Sequence, residues 1–65
     1  MIPEIDLWRI ANLMLKRYGD HADAESARRA DELAAAGDHY GAAVWRRIMD
    51  AVDRLANRTS PGAVH

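Results

Sequence analysis

Apolar positions recur at helical spacing in three successive runs, each closed by a glycine or by an aperiodic polar stretch. In the first, Leu7, Trp8, Ile10, Ala11, Met14, Leu15 and Tyr18 fall on one stripe and predict a helix over about 4–18. Arg9, Asn12 and Lys16 line its opposite face, and Ile5 and Leu13 lie outside the main stripe. Pro3 suits the helix start because it has no N–H to satisfy there. Glu4 and Asp6 near that start, and Lys16 and Arg17 in the last turn, complement the helix dipole. Gly19 closes the run, since glycine takes the left-handed cap conformation without a Cβ penalty.

The second run predicts a helix over about 21–36, with Asp20 as its N-cap and Asp23 in a near capping-box position. Its expected inward face is small: Ala27, Ala30 and Ala34, with Leu33 the one large apolar side chain. Gly37 ends it. Asp38 then caps a third helix over about 39–57, whose stripe is Gly41, Val44, Trp45, Ile48, Val52 and Leu55, flanked by Tyr40, Met49 and Ala51. Outer faces carry charge pairs four residues apart: Glu25 with Arg29, Arg28 with Glu32, and a ladder of Arg46, Asp50 and Arg54. Residues 58–65 lack periodicity and contain Pro61-Gly62, which predicts a flexible C-terminal tail. The expectation is an all-α fold: one three-helix domain over 1–57, helices 2 and 3 forming an antiparallel hairpin and helix 1 laid across it. Gly19-Asp20-His21 and Gly37-Asp38-His39 repeat one stop-and-cap pattern, 18 residues apart. Two short-looped helices need that same grammar without any shared descent.

Length sharpens this picture. A chain of 65 residues buries only about 60% of its unfolded surface, so its stability is marginal. Such chains lean on disulfides, metals or association. With no cysteine, disulfides and thiolate metal sites are excluded, and nothing asks for an oxidising compartment. Nine Lys/Arg against ten Asp/Glu give a net charge of −1, so nucleic acid and anionic membranes have no global attraction to the chain. No signal peptide is expected. The longest apolar piece, Ile10 to Leu15, is broken by Asn12 and is far too short to span a membrane. A soluble cytoplasmic protein is the expectation.

Candidate chemistry is sparse. His21 and His39 each start a helix of the expected hairpin and therefore lie at opposite ends, about 20 Å or more apart, which prevents them from sharing a metal within one chain. Asp20 and Asp38 sit at cap positions and are separated in the same way, too far for paired acid–base work. No catalytic residue, cofactor site or metal site is expected, and the chain does not read as an enzyme. Arg28, Arg29, Arg46 and Arg47 fall near the middles of their helices and offer a basic patch for phosphate or an acidic partner. Glu25, Asp31, Glu32 and Asp50 interleave with them, which favours a charge-balanced solvated face.

The stretch Ala30-Asp31-Glu32-Leu33, then Gly37-Asp38, Gly41 and Val44-Trp45-Arg46-Arg47-Ile48, preceded by Asp6-Leu7-Trp8, resembles a family of short uncharacterised bacterial helical proteins. The resemblance covers most of residues 5–56 and implies neither an activity nor site residues. Residues 33–43, Leu33 through Ala43, are similar to the turn of a tetratricopeptide repeat, which implies at most an interaction role.

Aromatic area decides the functional expectation. A three-helix domain with an alanine-faced middle helix has little room to enclose Trp8, Tyr18, Tyr40 and Trp45, and aromatic side chains are enriched in interfaces. Ile10 and Leu13 widen the apolar surface of helix 1. The six residues Trp8, Ile10, Leu13, Tyr18, Tyr40 and Trp45 are the candidate partner-binding set. The expected function is a non-catalytic interaction or accessory protein that self-associates, or that binds a protein partner. The alternative is a small regulatory protein that binds nucleic acid or an acidic partner through the arginines.

Overall fold

A computed structural model describes residues 3–59, with side chains through Asn57. The fold is all-α: α1 Glu4–Tyr18, a 3-10 turn Gly19–His21, α2 Ala22–Ala35 and α3 His39–Thr59. Among the described residues there is no strand. Pro3 sits at the start of α1 with φ −60°, and its carbonyl accepts from the N–H groups of Asp6 (3.0 Å) and Leu7 (3.3 Å). The third helix runs to Thr59, past its expected end, and the rest of the expected tail lies outside the described residues.

The sequence pattern predicts three separate helices, and here the structure differs. Helical backbone continues from Glu4 to Ala35 without a gap, and only the 3-10 turn divides α1 from α2. These 32 residues would span about 48 Å if straight. The longest dimension of the molecule is 40 Å, and α1 and α2 both pack on α3, so the track bends at the turn. Gly19 makes the bend possible with φ +55° and ψ −125°, while its N–H still donates to the Leu15 carbonyl. Asp20 is part of the 3-10 turn and caps nothing: the residue preceding α2 is His21, and it makes no side-chain cap bond.

The second break is complete. Asp38 N–H donates to the Leu33 carbonyl (2.8 Å) and Gly37 N–H to the Ala34 carbonyl (3.0 Å), with Gly37 at φ +88°. This is the Schellman pattern, and it satisfies carbonyls that the end of α2 would otherwise leave open. Asp38 then caps α3, its Oδ1 accepting from the Gly41 N–H at 2.8 Å. A Cβ on Gly41 would stand 2.6 Å from Asp38 Oδ2, so a side chain at that position makes the flexible carboxylate swing aside. Asp38→Ala is therefore expected to cost about 1 kcal/mol with Gly41 present and almost nothing after Gly41→Ala, where the carboxylate is already displaced. A double-mutant cycle by urea denaturation checks this, and additive effects would show that the cap does not depend on Gly41.

The core is narrow and rich in small residues. α1 contributes Leu7, Ala11 and Met14, and α3 contributes Ala42, Ile48, Ala51 and Val52. From α2 come Ala22, Ser26 and Ala30, spaced four apart. The buried edge of α2 is thus rotated from the expected one: Ala27, Leu33 and Ala34 are only partly buried. Ser26 is small enough to pack as alanine does, which a polar reading of serine hides.

A candidate protein-interaction face

The helix geometry sorts the predicted partner-binding residues into separate places. Ile10, Leu13, Tyr18 and Trp45 line one groove together with Met14, Arg17 and Arg29. Trp8 lies in another, beside Glu4, Leu7, Arg47, Asp50 and Arg54. Its indole N–H donates to Glu4 Oε2 at 3.4 Å. Tyr40, in the first turn of α3, is 60% exposed and lines neither groove. The six residues therefore do not form one continuous face. Four of them converge, and Trp8 and Tyr40 stand apart because helix rotation carries them elsewhere.

Within the convergent groove the rings are half-buried and fixed from one side by Arg29. Its guanidinium lies 5.0 Å from the Trp45 ring centroid and 5.9 Å from that of Tyr18. The same side chain donates to the Tyr18 hydroxyl (3.1 Å) and pairs with Glu25 (3.1 Å). Arg29 ties α2 to a tyrosine of α1 and a tryptophan of α3, so it serves the groove as a positioning residue through cation–π and hydrogen-bond contacts. The charge-pair reading of the sequence locates its bond to Glu25. Its stacking on residues 11 and 16 positions away along the chain depends on how α1, α2 and α3 pack together.

The arginines do not gather into one patch. Arg28 and Arg29 both turn to Glu25, and Arg28 also pairs with Glu32. The Arg28 hydrogen bond to Glu25 holds that carboxyl below the usual carboxylate range, against the opposing pull of desolvation and with further help from Arg29. In turn, the Glu25 hydrogen bond raises the pKa of the Arg28 guanidinium. On α3, Arg54 pairs with Asp50 at 3.2 Å, but Arg46 does not join the expected ladder. Among the described residues Arg46 and Arg47 make no ion pair. Arg47 borders the Trp8 groove, whereas Arg29 borders the Trp45 groove.

A third depression is acidic, with Asp20, Asp23 and Asp53 around Leu15 and Val52. No group of three or more His, Cys, Asp or Glu among the described residues is placed to hold a metal ion. His21 and His39 are both exposed. No helix of the described residues is long and apolar enough to cross a membrane.

Comparison with curated proteins and with solved structures finds no match. Residues 4–60 match a family of unknown function, DUF6961, and the chain belongs to that family.

Proposed function

We propose that the protein is a non-catalytic interaction protein that associates with itself through the groove of Ile10, Leu13, Tyr18 and Trp45. One observation carries the reading: Leu13 is 57% exposed on the lip of a groove whose two aromatic rings are only half-buried. Solvent contact on that much apolar and aromatic surface is costly for a chain whose own core is mostly alanine, and a second protein surface removes it. Arg29 supports the reading, because rings held in place before binding lose less freedom on association.

Part of the proposal is the three-helix arrangement itself, with α2 and α3 as an antiparallel hairpin. The pairing of Arg29 with Trp45, with Asp23 beside Val52 and Asp53 around one depression, supports opposite helix directions. A cytoplasmic location belongs to the same proposal and rests on the cysteine-free sequence. Sedimentation of the chain over a concentration range tests self-association. The expected result is an apparent mass that rises toward a dimer. A folded monomer at every concentration sinks the idea.

A second reading has one observation in its favour: Arg46 and Arg47 are exposed without an ion pair among the described residues. On that reading the chain grips an acidic partner or nucleic acid through α3. A salt-dependent gel shift, lost on Arg46→Ala with Arg47→Ala, supports it, and no shift at low salt ends it.

A further inference from the structure

The outer edge of α1 carries a self-complementary pattern. Asp6, Ile10, Leu13 and Arg17 are spaced 0, 4, 7 and 11 residues along the helix, so they lie on one stripe. Read from its start, the stripe is acidic, apolar, apolar, basic. Ile10 is half-buried and Leu13 is 57% exposed, and the stripe forms the α1 lip of the Trp45 groove through Ile10, Leu13 and Arg17. Among the described residues neither Asp6 nor Arg17 has an ion-pair partner.

Reversing a second α1 against the first inverts this order, so that acid meets base at both ends and Ile10 meets Leu13 in the middle. A parallel alignment would set Asp6 against Asp6 and Arg17 against Arg17. We propose that the occupant of this face is a second copy of the chain, docked with its α1 antiparallel about a two-fold axis midway between Ala11 and Asn12. The inference rests on the self-association reading above and names its geometry. Such a contact is isologous: the dimer makes two equivalent ion pairs and two equivalent apolar pairs. Tyr18 and Trp45 border the seam and enlarge the apolar area it buries. One helix seam is smaller than the roughly 1,600 Å² of a standard stable interface, so a weak dimer, dissociating at roughly micromolar concentrations, is expected.

Charge reversal tests the register. Asp6→Arg and Arg17→Asp each create two like-charge contacts per dimer and are expected to weaken association about tenfold or more at low salt. Combining both changes in one chain restores acid-against-base order and should return affinity toward that of the wild type. The double variant is the worst of the three for α1 itself, because it reverses the favourable charges at both helix ends. Recovery therefore cannot come from intrinsic helix stability, and circular dichroism confirms that each variant is folded. An equimolar mixture of the two single variants should likewise form a mixed dimer. Sedimentation equilibrium reads all four samples against the wild type. A wild-type dimer whose double variant and mixture stay as weak as the singles overturns this seam and leaves self-association standing. A wild-type chain that is monomeric up to about 1 mM overturns both.

Discussion

Ile48→Ala is expected to lower the unfolding free energy by about 3 kcal/mol, roughly a third or more of the whole stability. Ile48 is 1% exposed and is among the largest side chains that the fold encloses completely. It sits in a cluster with Leu7, Met14 and Val52, where the remaining buried members, Ala11, Ala22 and Ala51, contribute little area. Truncation thus removes a major share of the hydrophobic term and leaves a cavity that alanine neighbours cannot fill. For a chain of 65 residues the whole stability is on the order of 3–10 kcal/mol, so this one change consumes much of it. Leu13→Ala, at a position 57% exposed, is expected to cost no more than about 0.5 kcal/mol in the monomer. Urea denaturation of both variants, at a concentration low enough to keep the chain monomeric, makes the comparison. A loss below about 1 kcal/mol for Ile48→Ala would mean that α1 and α2 collapse onto the vacated space.

How far the fold is legible in the sequence depends on whether the cause is local. The two Gly-Asp-His triplets show the limit. Both glycines adopt positive φ and both end a helix, because that requirement concerns one residue and its missing Cβ. The aspartates diverge. The Asp38 carboxylate accepts from the Gly41 N–H, whereas Asp20 lies inside the 3-10 turn. The chain after Gly19 tightens into a 3-10 turn without a side-chain cap bond, and the helical track continues into α2. The triplet is the same, and its two copies end in different local structures.

The candidate face was legible only residue by residue. Apolar spacing places Ile10, Tyr18 and Trp45 on their helical stripes and Leu13 outside its own, and the groove uses all four. Periodicity within single helices holds no information on how α1 rotates against α3, so it cannot separate Trp8 and Tyr40 from that set. The same limit applies to Arg28, Arg29, Arg46 and Arg47. Spacing along one helix finds the bonds to Glu25 and Glu32, whereas the position of Arg29 over Trp45 arises between helices.

Ser26→Ala is expected to stabilise the protein by about 1 kcal/mol or more and to raise Tm by roughly 4–8 °C. Ser26 is 0% exposed, and its Oγ has no hydrogen-bond partner among the described residues. A buried hydroxyl left in this state has given up its bonds to water without replacing them, a cost of about 1–3 kcal/mol that alanine avoids. Alanine also has the better helix propensity, and it fits a buried edge already built from Ala22 and Ala30. Enlargement acts the other way: Ser26→Leu forces α2 away from its neighbours and should destabilise by about 1–3 kcal/mol. The two substitutions separate polarity from volume at one position. Thermal melts followed by circular dichroism give the result, and a Tm for Ser26→Ala at or below that of the wild type would overturn the unpartnered reading, as would follow if the hydroxyl bonded a helix carbonyl one turn earlier. In that case the small edge of α2 is held partly by a polar contact, and Ser26 is fixed by hydrogen bonding as well as by size.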